Sequence, residues 1–285
     1  MKDVLYTSPY VPAEWIAAHG LRPVRIAPTT GSAQGPLSRQ GVCSFVRCFA
    51  ASAEAWPGAC GIVVTTTCDQ MRRAYDVVAR TCSVPAFLMN VSTVWQNPIA
   101  RDMYLGELKR LGDFLVGLGG AAPSDEYLAE VMVSFGDARA SLITNEARMS
   151  PRRLAGAIME FGETGRFDAV KEEDCGESLD GLVPMALVGG PLRKEDLAIF
   201  ELVEESGGSV VLDASETGRA GMCRRFDCDS LRDRPLAELA DAYLNGIRDI
   251  SQRRMALPFA STSFAWVYVF CSSARSCGRG RCMSG

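Results

Sequence analysis

Along this chain, short apolar runs alternate with stretches of helical periodicity. Val4-Leu5-Tyr6, Pro23-Val24-Arg25-Ile26, Ile62-Val63-Val64 and Val84-Pro85-Ala86-Phe87-Leu88-Met89 are brief and bounded by polar or turn residues, and they predict four strands. Between them, Pro12 opens a helix that ends at His19-Gly20, and Phe45 to Ala55 forms another before Pro57-Gly58. A third begins at Asp69, the residue expected to cap it, and continues through Met71, Tyr75 and Val78. Ile99 to Leu118 is helical, with Met103, Leu108, Leu111, Phe114 and Leu115 on one apolar face. Such alternation predicts a parallel, doubly wound sheet.

Asp125 to Phe161 is mostly helical and polar-faced, with a break and new start at Ser150-Pro151. A second α/β unit follows. It has a strand at Pro184 to Val188, the turn Gly189-Gly190-Pro191-Leu192 and a helix from Lys194 to Glu205. Then come a strand at Ser209 to Leu212, a loop from Asp213 to Ala220, a helix from Leu236 to Ile250 and a last strand at Phe264 to Phe270. The expected fold class is α/β, with two doubly wound parallel-sheet domains joined by a helical segment. Residues 1–120 form the first, carrying Cys43 and Cys68; 121–165 connect; 166–271 form the second. Residues 272–285 are Arg/Ser/Gly-rich and without period, and read as a disordered tail, as if the second domain were cut short.

The length of 285 residues suits about two domains. A net charge of −4 offers no general electrostatic case for nucleic acid or an anionic membrane as partner. No apolar run approaches a membrane span, and Met1-Lys2-Asp3-Val4-Leu5-Tyr6 begins with strand-like sequence rather than a signal-peptide core. A cytoplasmic protein is expected.

The 11 cysteines change the picture. In a reducing compartment they read as metal ligands or redox groups rather than disulfides. The single histidine, His19, sits at a helix carboxyl end, which excludes His-rich metal sites and argues against a Ser-His-Asp triad. No CxxC pair occurs, which disfavours a zinc ribbon. A cysteine-based site must therefore gather ligands that are far apart in sequence.

Cys68, in Thr65-Thr66-Thr67-Cys68-Asp69, falls at the carboxyl end of a strand beside the positive end of a helix. Open α/β sheets bind ligands there, and a thiol's pKa is expected to fall there so that the thiolate can bind metal. On spacing alone, a half-buried structural cysteine reads equally well. Cys43 precedes a helix and Cys271 directly follows the last strand, so all three are placed where two α/β units could face each other. Cys48, Cys60, Cys82, Cys175, Cys223 and Cys228 have no comparable placement and read as packing or surface residues. Arg47, Arg72 and Arg73 suit either phosphate contacts or surface ion pairs. The hydroxyls of Thr65, Thr66 and Thr67 suit either a ligand or the end of a strand, and Asp69 suits either a metal's outer shell or a helix cap. Lys194, Glu195 and Asp196 read as a solvated helix start.

Taken together, several motifs resemble a known family. They are Tyr10-Val11-Pro12-Ala13-Glu14 through Gly20-Leu21-Arg22-Pro23-Val24-Arg25, Cys43-Ser44-Phe45-Val46-Arg47, Thr66-Thr67-Cys68-Asp69, Pro85 to Asn90, and Tyr104-Leu105-Gly106-Glu107-Leu108-Lys109-Arg110-Leu111. Gly189-Gly190-Pro191-Leu192 and Asp213 to Arg219 follow in the same order. The chain resembles the 2-hydroxyacyl-CoA dehydratase and benzoyl-CoA reductase family, specifically its D-component, the smaller β-type subunit. The resemblance implies a [4Fe–4S] cluster held by three cysteines at a cleft between two α/β domains. It carries over to Cys43 and Cys68 as the first two ligands and Cys271 as the third, with Cys277 or Cys282 as substitutes. It further implies an acyl-CoA substrate, a larger dehydratase subunit as partner, and an ATP-dependent iron–sulfur activator that supplies one low-potential electron. Passed to the thioester, that electron gives a ketyl radical that expels the 2-hydroxyl. The alternatives are a benzoyl-CoA reductase-type subunit, an electron-transfer or assembly subunit without catalysis, and a ligand-binding α/β protein with structural cysteines or zinc. One departure stands out: relatives commonly carry a cysteine near the position of Glu216, to which no role is assigned.

Overall fold

The computed structural model describes residues 1–29, 42–167 and 181–247 and, as backbone, the strand at 265–269. In the first half, β1 (Asp3–Tyr6), β2 (Arg22–Arg25), β3 (Ala59–Thr65) and β4 (Ala86–Met89) form one parallel sheet in the order β2-β1-β3-β4. Its helices are α1 (Ala13–Ala18), α2 (Ser44–Glu54), α3 (Asp69–Thr81) and α4 (Pro98–Gly117). Strand residues alternate between two cores, as a sheet covered on both faces requires. Leu5, Val24, Ile62 and Val64 pack with Phe45 and Phe49 of α2 and Val77 and Val78 of α3. Val4, Tyr6, Val63 and Met89 pack with Trp15 and Ile16 of α1 and Leu108 and Leu111 of α4. The strand order reverses between β1 and β3, so the crevice that such sheets offer to ligands opens at their carboxyl ends.

The cap of α3 differs from expectation. Cys68, rather than Asp69, is the capping residue, its Sγ accepting the Met71 backbone N–H at 3.4 Å. Asp69 is the first helical residue, where a carboxylate still favours the helix dipole. On α4, Met103 is 59% exposed. Tyr104 takes its place in the core stripe with Leu108, Leu111 and Leu115 and donates its hydroxyl to the Tyr10 carbonyl at 2.6 Å.

The helices α5 (Asp125–Thr144) and α6 (Pro151–Thr164) follow, with Ser150 capping the second as the Ser-Pro break predicts. The second sheet is also parallel, in the order β6-β5-β7, with β5 (Val183–Gly189), β6 (Gly208–Ser215) and β7 (Ala265–Val269). The strand β6 runs three residues past the expected Leu212. A register shift leaves Val211 unopposed, and Asp213 and Ser215, polar but paired with Leu187 and Gly189, extend the strand. A 3-10 turn (Lys194–Leu197) precedes α7 (Ala198–Glu205), and Asp196 there accepts from Arg193 instead of lying solvated. Lys194 likewise pairs with Glu163 at 2.9 Å. The short α8 (Cys228–Asp233), absent from the hydrophobic pattern, is capped by Asp227. The helix α9 (Pro235–Leu244) packs on α4 and α5, its Leu239 and Tyr243 sharing a core with Tyr10 and Trp15. Helix α6 packs on both β2 and β6. Cys175, Cys271, Cys277, Cys282 and the 272–285 segment lie outside the described residues.

At the start of β1, the Asp3 carboxylate accepts from Arg22 Nε at 2.7 Å and from the Trp56 indole at 2.9 Å. The Arg22 guanidinium above all, with the indole, holds this carboxyl below its usual range, against the opposing pull of burial. A depressed carboxylate pKa stabilises the fold above the unfolded value, near 4, and that contribution is lost as pH falls through the folded value. Asp3→Asn should therefore cost about 1 kcal/mol at pH 7, after allowance for the partly exposed guanidinium, and much less near pH 3. Urea unfolding of both proteins at the two pH values checks the difference.

Candidate functional site

The carboxyl edge of the first sheet gathers the amino ends of two helices. Cys43 precedes the first residue of α2 and is buried. Cys68 precedes the first residue of α3 and is half-buried. Gln70, in the first turn of α3, ties the two starts together by accepting the Cys43 backbone N–H at 3.1 Å. The two thiols lie close enough for Cys43 to act electrostatically on Cys68.

The Cys68 thiol pKa is raised, not lowered as its place at a helix end predicts. Burial is the main cause; the Met71 and Gln70 backbone groups oppose it, and the charges of Glu216 and Cys43 add to it. Desolvation outweighs the helix end, so Cys68 is a thiol until a cation takes its proton's place.

Glu216 reaches this edge from the second sheet. It follows β6, is 7% exposed, and sits on a loop tied to the first sheet through Arg25. From β2, Arg25 donates one guanidinium nitrogen to the Thr7 carbonyl at 2.8 Å and another to the Glu216 carbonyl at 2.9 Å. The Leu192 backbone N–H donates to Thr217 Oγ1 at 3.0 Å, joining the loops after β5 and β6. Gly221 closes against the Glu216 carbonyl, and a side chain there would also meet Pro9, just beyond β1. The loops after β1, β3 and β6 thus meet at one place.

The other candidates are largely occupied within the fold. Thr66 Oγ1 accepts the Val91 N–H at 3.0 Å, and the Thr65 and Thr67 hydroxyls bond each other at 3.0 Å. Arg72, Arg73 and Asp69 are exposed. Arg47 is half-buried in the first turn of α2, its Nε enclosed without a hydrogen-bond partner among the described residues. Cys48 meets the Arg193 guanidinium, Cys223 lies buried beside Arg139, and Cys228 is exposed, in keeping with packing or surface roles. His19 ends α1, its Nδ1 2.7 Å from the Trp15 carbonyl. Among the described residues, no three His, Cys, Asp or Glu side chains could hold a single metal ion.

Residues 9–256 match the family model for the 2-hydroxyglutaryl-CoA dehydratase, D-component. The chain belongs to that family. Comparison with curated proteins gives no match. The D-component match spans Cys43, Cys68 and Glu216 and ends before Cys271. Membership makes the chain a component of the dehydratase type. No described helix is long and apolar enough to cross a membrane. Sequence reasoning expected Cys43 and Cys68 at helix starts, where the structure has them; it gave no role to Gln70, Arg25 or Glu216, single polar residues whose contacts lie across the fold.

Proposed function

We propose that this chain is the iron–sulfur subunit of a 2-hydroxyacyl-CoA dehydratase-like enzyme, with Cys43, Cys68 and Cys271 holding a [4Fe–4S] cluster in the cleft between its two α/β units. The observation that carries this reading is the convergence of Cys43 and Cys68, from separate βα units, at the reversal point of the sheet. The donor set fits: thiolates are the usual protein ligands of such clusters, and two helix amino ends offset their negative charge. When bound, the cluster supplies a low-potential electron for an acyl-CoA thioester.

The residues of the chain do the remaining work. Burial of Cys43 and its neighbours excludes water from the thiolates, and Gln70 fixes the spacing of the two helix starts. Each thiol must release its proton on metal binding, so loading favours higher pH. A larger dehydratase subunit and an ATP-dependent iron–sulfur activator complete the system in this reading.

The test is iron and acid-labile sulfide per chain after anaerobic purification, with an EPR spectrum of the reduced protein. About four of each are expected in the wild type. Cys43→Ala and Cys68→Ala should each lose most of that iron while keeping the wild-type circular dichroism. Full iron in either variant would sink the ligand assignment.

A further inference from the structure

A cavity of about 330 Å³ lies between α5 and the segment that follows β6; no residue of the first sheet or its loops lines it. Small residues on one stripe of α5 open it. Gly136 and Ala140 stand one turn apart, between Val133 and Ile143. Glycine is unfavourable inside a helix, and here it leaves space: a Cβ at Gly136 would approach only the Phe226 ring, at 3.7 Å. Phe226 itself is fixed by the Arg139 guanidinium, which lies over its ring, and Leu231 of α8 completes the apolar wall.

The rest of the lining is cationic. Arg139, Arg219, Arg224 and Arg225 line the cavity with one carboxylate, Asp137. Two of the guanidiniums are neutralised by residues outside the lining. Arg139 Nη1 donates to Glu14, and Arg224 donates to both oxygens of Glu238, at 2.6 and 3.0 Å. Arg139 Nη2 has no hydrogen-bond partner among the described residues. Arg219 lies 3.5 Å from Glu146, both side chains being partly exposed, and such a pair is weak. Arg225 is exposed, and its side chain has no ion pair among the described residues. Arg219 and Arg225 therefore stand against Asp137 alone in the lining, an excess that suits one negative charge rather than two.

We propose that this cavity binds a small organic monocarboxylate, with its apolar body against Val133, Ile143, Phe226 and Leu231 and its carboxylate on Arg225. Arg219 adds to the positive field. The site does not depend on the cluster. Its size, and apolar walls with a few polar groups among them, are those of small-molecule sites. The planar guanidinium fork matches a carboxylate through two parallel hydrogen bonds. A dianionic phosphate would set its second charge against Asp137, and a neutral body of the same shape would gain nothing from Arg225.

The test is calorimetric titration of the whole chain, purified anaerobically, at pH 7 with hexanoate, hexanol and inorganic phosphate as probes. Hexanoate should bind once per chain, and the other two at least about tenfold more weakly. Arg225→Ala should weaken hexanoate about tenfold, and Arg219→Ala by a smaller factor, since its charge is shared with Glu146. Ala140→Phe, which fills the hollow, should abolish binding. Wild-type protein that takes no hexanoate overturns the proposal. So does hexanol or phosphate that binds as tightly as hexanoate, or hexanoate binding that Arg225→Ala leaves unchanged. Arg225 is exposed, so its variant keeps the comparison decisive should Ala140→Phe fold poorly.

Discussion

Arg139→Ala should lower the unfolding free energy by about 3–5 kcal/mol, read from guanidinium melts at pH 7. Arg139 projects from α5 and is 7% exposed; its Nη1 donates to Glu14 Oε1 at 2.5 Å. Glu14, on α1, is fully buried, and its other oxygen accepts the Tyr243 hydroxyl of α9 at 2.6 Å. The guanidinium also lies over the Phe226 ring, 5.1 Å from its centroid. One charge pair therefore holds three helices at a common point. Truncating the arginine leaves the Glu14 carboxylate in a low-dielectric interior with only a tyrosine hydroxyl, and desolvation of that lone charge dominates the loss. Arg139→Met combined with Glu14→Gln removes both charges yet keeps an acceptor for Tyr243, and should recover most of the stability. A double variant no better than the single one would show that the arginine acts through packing instead. Cys223, beside this pair, has its thiol pushed up to about 12, mainly by burial.

Gly221→Ala should lower stability by roughly 1–3 kcal/mol and reduce the iron held by the folded protein. The added Cβ would overlap the Glu216 carbonyl oxygen and lie 3.0 Å from its carbon. Both are backbone atoms, so no side chain can swing away. The Glu216 carbonyl must move, and with it the hydrogen bond from Arg25 that docks the loop. Gly106→Ala on α4 is the control. Nothing stands within 4 Å of its added Cβ, so the helix should gain about 0.5–1 kcal/mol. Thermal melts and iron content of the two variants give the comparison. An unchanged iron content in Gly221→Ala would separate the loop from the cluster.

The first four strands and their helices were legible because each is a short apolar run with turn residues at both ends. Cys68 was legible for the same reason: a strand ended just before it and a helix began just after. What stayed hidden depends on partners far along the chain. Asp213 and Ser215 look like loop residues until Leu187 and Gly189 pair with them. Tyr104, not Met103, keeps the i, i+4, i+7 spacing with Leu108 and Leu111, so the period itself favoured it; what stayed hidden is the Tyr10 carbonyl that its hydroxyl reaches. The rise in the Cys68 pKa follows from burial, which no local pattern reports. Glu216 meets Arg25 across 191 positions, so neither residue carries a local sign of the other.

The order of strands in the second sheet has a consequence for biosynthesis. The central strand β5 pairs on one side with β6, which leaves the ribosome soon after it, and on the other with β7. About 50 residues separate the end of β6 at Ser215 from the start of β7 at Ala265. At roughly 5–20 residues per second, translation leaves that side of β5 without its neighbour for about 3–10 s. Throughout that interval Met185 to Gly189 present a bare row of peptide groups to other nascent chains. Chaperone demand during synthesis should therefore be concentrated on this one edge.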